Sequence, residues 1–155
     1  ASLDKTSKVF DAQTGEGLQT YNGHNERVFG VAFSPDGKQV ITSGGDRQLH
    51  FWNPDDGKKI ANVGGFGHEV YQLELLGGDL LSCSADKTVR QHRVDNRTPV
   101  RVYSGHADWV YAVAVHAPSK RVASGSYDGE VRVWNAEDGK ELLKFLAAPG
   151  LARGP

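Results

Sequence analysis

The chain has 155 residues, 24% of them charged and 38% hydrophobic, with a formal net charge of −1 at pH 7. That composition belongs to a soluble globular chain and excludes a disordered one. Lysines and arginines alternate with acids instead of gathering in a block, so no nucleic-acid surface is expected. The longest apolar runs fall far short of the ~20 residues of a membrane-spanning helix, so no membrane contact is expected either. A single cysteine, Cys83, leaves no internal disulfide and no multi-cysteine zinc site. The compartment stays open, and the lack of methionine marks the chain as a processed product or a piece of a longer protein.

In chain order, the first element is the opening segment Leu3-Asp4-Lys5-Thr6-Ser7-Lys8-Val9-Phe10-Asp11, the shortened first copy of a repeat. β-rich runs follow at 28–33, 39–43, 48–52 and 59–63. They are parted by Ser34-Pro35-Asp36-Gly37, Gly44-Gly45-Asp46 and Pro54-Asp55-Asp56-Gly57, whose Pro and Gly supply the fixed or positive φ of tight turns. Two more copies carry Leu80-Leu81-Ser82-Cys83-Ser84-Ala85-Asp86 and Val122-Ala123-Ser124-Gly125-Ser126-Tyr127-Asp128. The aspartates at 4, 46, 86 and 128 recur at intervals of 42, 40 and 42 residues, the period of a four-stranded propeller blade. No stretch of helical length and period survives between the breaks. The expected fold is therefore all-β: blades of four antiparallel strands forming an incomplete ring over residues 1–146. Its parts are a blade remnant at 1–22, blades at 23–64, 65–104 and 105–146, and a tail at 147–155.

Gly23-His24 and Gly105-His106 before a first strand, Ser34-Pro35-Asp36-Gly37 after one, Ser124-Gly125-Ser126-Tyr127-Asp128 in a second, and Trp52 and Trp134 closing a third together resemble the WD-repeat family. The resemblance covers all but about the last ten residues. It departs at the naming dipeptide, where Asn53 and Asn135 follow the tryptophans and Phe10-Asp11 lacks the tryptophan.

The resemblance implies a hydrogen-bonded chain from indole through hydroxyl and imidazole to aspartate. Its members are Trp52, Thr42, His24 and Asp46 in one blade and Trp134, Ser124, His106 and Asp128 in another, at the same spacing. A catalytic triad is the sharper reading of these residue types. A constellation repeated blade after blade serves the fold, so no catalytic residues, no cofactor and no enzyme activity are expected. The blade between them keeps Ser82 and Asp86, but has His92 at the tryptophan position and Gly65-Phe66 at the Gly-His place. A metal site of His68, His92 and Asp86 competes there with plain degeneration of the pattern, and we expect no metal. Cys83 reads as a small buried hydrophobe.

Three positions per blade point, by the same resemblance, into a partner-binding face. They are Arg27, Phe29 and Gly45; Glu69, Tyr71 and Ala85; and Trp109, Tyr111 and Tyr127, with Leu3 readable in the remnant. Three aromatics at once make the last blade the expected centre of binding, since Tyr and Trp dominate interface energetics. The expected function is a non-catalytic scaffold for a protein or peptide partner. The alternative is a C-terminal propeller segment of a larger, for example bacterial, multidomain protein or of a propeller enzyme. Fourteen strands are half of a ring of roughly seven blades. Self-association as a homodimer, or pairing with a complementary propeller half, is therefore expected as well.

Overall fold

The computed structural model describes residues 1–147; most of the expected tail at 147–155 lies outside the described residues. Among the described residues there are fourteen strands and no helix, hence none that could cross a membrane. A two-stranded sheet of β1 (Ser7–Phe10) and β2 (Gly17–Tyr21) comes first. Three four-stranded sheets follow: β3 (Val28–Phe33) to β6 (Lys59–Val63), β7 (Val70–Leu76) to β10 (Pro99–Ser104), and β11 (Val110–His116) to β14 (Glu141–Leu146). Within each sheet the strands lie in sequence order. This is the all-β arrangement of four-stranded blades that the resemblance implies, three and a half of them, short of the ~4 blades of the smallest ring.

The turns explain the period. The residue after each repeating aspartate has positive φ: Lys5 at 73°, Arg47 at 62°, Lys87 at 71° and Gly129 at 83°. Only one of the four is glycine. The aspartate itself holds the bend, because its Oδ1 accepts the backbone N–H two residues on, from Thr6, Gln48, Thr88 and Glu130 respectively. This local turn is the one task the aspartate performs in every copy.

The chain divides into two compact units, Ala1–Val70 and Tyr71–Pro155. In the first, Tyr21, Val40 and Trp52 form a core with Val9 against it, so the two-stranded sheet packs on the four-stranded one. In the second, Leu81, Cys83, Val89 and Tyr103 of one sheet meet Val110, Val113, Val122 and Trp134 of the next. The guanidinium of Arg101 donates from the first of those sheets to the carbonyls of Ala136 and Glu137, and Gln72 Oε1 accepts the Val113 N–H.

Among the described residues the last sheet is covered on one side only. Its registers put Ala112 and Ala114 beside Gly125 and Ala123, then Val131 and Val133, then Phe145 and Leu143, all on one face. Along β14 every residue is exposed, Leu143 by 55% and Phe145 by 47%. The residues of the preceding sheet equivalent to Ala123, Gly125, Val131 and Phe145, namely Leu81, Cys83, Val89 and Tyr103, are at most 1% exposed because this last sheet lies over them.

Candidate binding face

The loop before β3 and the turn before Asp46 are tied by one backbone bond, Gly45 N–H to the Arg27 carbonyl at 2.8 Å. The last sheet repeats it with Tyr127 N–H to the Trp109 carbonyl at 2.9 Å. Between these anchors the β3 and β11 registers slip by one residue, at Phe29 and at Tyr111. A bulge re-aims a side chain that regular pleating would have placed elsewhere.

In the first unit this gathers Arg27, Phe29, Gly45 and Glu69, all expected at the face, with Glu26 and Arg47 around a shallow hollow of ≈ 390 Å³. Leu3 is exposed. In the second unit Trp109, Tyr111 and Tyr127 come together, with ring centres 6.0 to 6.3 Å apart. Tyr111 also stacks on Tyr71 at 4.7 Å and 24°. Trp109 and Tyr111 are 41% exposed and Tyr127 is 64% exposed. Ala85 is buried and offers a partner nothing.

The polar chain is present in complementary halves. In the first unit His24 Nδ1 donates to Asp46 Oδ2 and its Nε2 accepts from the Thr42 hydroxyl, both at 2.7 Å; the partners fix the tautomer. The Trp52 indole N–H takes no part: it is buried without a hydrogen-bond partner, and the ring stacks on Tyr21 at 5.0 Å and 4°. In the second unit Trp134 Nε1 donates to Ser124 Oγ at 2.9 Å, and the Ser124 hydroxyl donates to His106 Nε2 at 2.7 Å. There the imidazole stops short of the acid. His106 Nδ1 has no partner, and Asp128 Oδ2 accepts the Ala107 N–H instead.

The sheet of β7 to β10 has a guanidinium in place of the imidazole. Asp86 Oδ2 accepts from Arg90 at 2.8 Å, Ser82 Oγ donates to the Arg90 carbonyl, His92 is buried, and His68 pairs with Glu69. Phe66, at the place of the histidine, is buried as His24 and His106 are.

Two members of the first unit's network went unnoticed in the sequence. His50 Nε2 faces Asp46 Oδ2 at 3.4 Å, and its Nδ1 accepts from the Tyr21 hydroxyl at 2.8 Å. A signal for it exists: a basic residue stands four positions after every repeating aspartate, as Lys8, His50, Arg90 and Arg132.

Burial alone would raise the Asp46 carboxyl, but hydrogen bonds from His24 and His50 outweigh it and hold the group well below the usual carboxylate range. Burial pushes His50 below the ordinary histidine value. It also pushes Tyr21, helped by the Asp46 charge, up to about 12. His106 is lowered by burial and then by Arg132, and burial pushes the Cys83 thiol up to about 12.

The residue types around His24, Asp46 and His50, and around His106, Asp128 and Glu130, could hold a metal ion, their ligand atoms lying within 4.8 Å of one another. In the first group those atoms already serve one another, Thr42 and Tyr21. The Thr42–His24–Asp46 geometry is that of a nucleophilic triad, but Thr42 is completely buried, out of reach of a substrate.

The family model described as "WD domain, G-beta repeat" matches residues 15–53 and 97–135. The span between them is the one in which Phe66 and His92 stand where the pattern has histidine and tryptophan. Transcription initiation factor TFIID subunit 5 of Caenorhabditis elegans is 31% identical over 141 residues, covering 90% of this chain and 22% of that protein. A guanine nucleotide-binding protein subunit beta-like protein of Encephalitozoon cuniculi is 28% identical, covering 94% of this chain and 45% of that protein. Nuclear distribution protein PAC1 of Arthroderma benhamiae is also 28% identical, with coverage of 94% and 37%. The crystal structure of the computationally designed Ika8 protein superposes with a TM-score of 0.81 at 26% identity, over 92% of this chain and 44% of that one. The chain thus spans less than half the length of each of these relatives. Fold, turn chemistry and matched repeats agree: this chain belongs to the WD40 repeat family.

Proposed function

We propose that the chain is a non-catalytic scaffold that binds a protein or peptide, with Trp109, Tyr111 and Tyr127 at the centre of the contact. The observation that carries this reading is three exposed aromatic rings in mutual contact, Trp109 and Tyr127 on two loops locked by a backbone bond and Tyr111 at the start of β11. Such rings combine large contact area with polar rims and lose little conformational freedom on binding. One relative is named as a subunit of a transcription initiation factor, and another as like the beta subunit of a guanine nucleotide-binding protein. The test compares proteins retained by the immobilised chain with those retained by its Trp109→Ala and Tyr127→Ala variants. Partners should be lost from both variants while thermal unfolding is unchanged; identical partners on both variants would remove the aromatic cluster from the function.

A second reading concerns assembly and is favoured by the uncovered face of the last sheet. Ala112, Ala114, Ala123, Gly125, Val131, Val133, Leu143 and Phe145 make most of it apolar, with His116, Arg121 and Asn135 at one end, and the residues equivalent to four of the eight in the preceding sheet are buried under another sheet. Exposed apolar surface of this kind drives association. A further blade should cover it, supplied by a second copy of the chain or by a complementary propeller half. Sedimentation at micromolar concentration should give at least the mass of a dimer, and Leu143→Glu should return it to monomer. A cooperatively folding monomer in the unmodified chain would end this reading.

A further inference from the structure

We infer that the uncovered face of the last sheet takes the two-stranded sheet of β1 and β2 from a second copy of the chain, head to tail, with Phe10 of one copy set against Phe145 of the other; this deepens the association reading and rests on it. The contacts inside each unit show what such a face accepts. In the first unit β1 and β2 bring Val9 and Tyr21 against Val40 and Trp52 of the next sheet, and Trp52 stacks on Tyr21 at 5.0 Å. In the second unit Val89 and Tyr103 meet Val122 and Trp134, with the Tyr103 and Trp134 ring centres 5.7 Å apart. Both contacts join unlike faces: a tyrosine from the last strand of one sheet and a tryptophan from the last strand but one of the other.

The repeat shows the same two positions unmet on β14 and on β1. Tyr21, Tyr103 and Phe145 follow their aspartates at 4, 86 and 128 by 17 positions, and Phe10, Trp52 and Trp134 follow those at 4, 46 and 128 by 6. Tyr21 and Tyr103 are buried where Phe145 is exposed, and Trp52 and Trp134 are buried where Phe10 is 56% exposed. Strand alternation sets Lys8 and Phe10 on the face of β1 turned away from Val9 and the sheet it packs on.

The chemistry of the two faces agrees. The bulk of the uncovered face lies on β13 and β14, as Val131, Val133, Leu143 and Phe145, while β11 and β12 add Ala112, Ala114, Ala123 and Gly125. A sheet of two strands therefore covers the half that carries the large side chains. The buried Tyr21 hydroxyl has a partner in His50 Nδ1, four places after Asp46. Phe145 has no hydroxyl, and four places after Asp4 stands Lys8, whose ammonium cannot accept one. Two last sheets laid face to face would instead put Phe145 on its own equivalent and leave Phe10 bare. The head-to-tail contact is heterologous, each copy giving Phe10 to one interface and Phe145 to another.

The test is sedimentation of Phe10→Glu, Phe145→Glu and their equimolar mixture at micromolar concentration. Both side chains are exposed, so both variants should keep the circular-dichroism spectrum of the unmodified chain. Each variant alone should be monomeric. The mixture should recover a two-chain species, because the first variant keeps its Phe145 and the second its Phe10. A mixture that stays monomeric would overturn the inference, as would a Phe10→Glu variant that assembles like the unmodified chain. A second measurement does not rest on added charge. With Cys83→Ala in both, Phe10→Cys and Phe145→Cys copies should form a mixed disulfide in oxidised glutathione, whereas a disulfide between two Phe145→Cys copies in its place would show the face-to-face dimer. Failure of the association reading itself would look different: the unmodified chain would be monomeric, and the inference would fall with it.

Discussion

The imidazoles of His24 and His50 lie face to face, with ring centres 3.9 Å apart and planes within 18°, and both address the same Asp46 oxygen. Two positive rings at that distance repel, and burial already holds His50 below the ordinary histidine value of 6.5, ahead of the opposing pull of Asp46. A group whose folded pKa is depressed contributes stability that is complete above its unfolded pKa and is lost as pH falls toward the folded one. Asp46, held below its ordinary 3.8, acts with the same sign further down. Stability should therefore hold at neutral pH, decline as pH drops below 6.5, and decline again below 3.8. His92 and His106, lowered chiefly by burial, add to the first decline. Urea midpoints at about pH 7.5 and about pH 5.5 measure it, and His50→Gln should flatten part of the difference. A midpoint that rises on acidification would contradict the arrangement.

The two halves of the polar chain separate two aspartates that look equivalent in sequence. Asp46→Ala removes the partner of two buried imidazoles and should cost about 2 to 3 kcal/mol. Asp128 bonds the backbone N–H groups of Ala107 and Glu130 and the Ser126 hydroxyl but no imidazole, so Asp128→Ala should cost about 1 kcal/mol. Chemical denaturation of the two variants at neutral pH gives the comparison, and equal losses would show that the acid works through its turn alone.

The tryptophans should divide in the opposite direction. Trp134→Phe removes the donor to Ser124 Oγ and should cost about 1 kcal/mol for the bond in addition to lost packing. Trp52→Phe removes an indole N–H that is buried and unpartnered, so only packing is lost, including the stack on Tyr21. The larger drop in melting temperature should belong to Trp134→Phe.

Cys83 should be silent until the protein opens. It is completely buried, and burial pushes its thiol to about 12, so little thiolate exists at ordinary pH and none of it is reachable. A disulfide reagent at about pH 8 should label it only at the rate at which the second unit unfolds, and labelling should become immediate in denaturant. Fast labelling of the folded chain would mean that the contact of Leu81, Val89 and Tyr103 with Val113 and Trp134 is loose.

Strand number and turn position were legible because both are local. The repeating aspartate marks a bend that it makes by itself, and Gly, Pro and β-branched residues mark the strands on either side. What could not be read was which polar atoms meet. Thr42 and Ser124 occupy the same place and bond the same imidazole nitrogen, yet only Ser124 also accepts an indole, and only His24 reaches its acid. Those differences lie in side-chain placement, which identical spacing in the sequence does not encode. His50 escaped because a basic residue four places after an aspartate looks like ordinary surface charge, as Lys8 is. The aromatic cluster was legible position by position, but its closeness depends on the bulge at Tyr111 and the bond between its two loops.

The last strand, β14, carries a further consequence. It is the outer edge of its sheet, and among its six residues Leu142, Leu143, Phe145 and Leu146 are exposed. An edge of that composition can template the addition of a strand from any other chain, which is how fibrillar aggregates extend. Lys144 is the single positive charge in the run, set in its middle and turned to solvent. A parallel, in-register stack would bring like charges together at every layer. A charge placed inside an exposed apolar edge strand is the kind of residue that disfavours such growth, so Lys144→Leu should raise the tendency of the chain to aggregate.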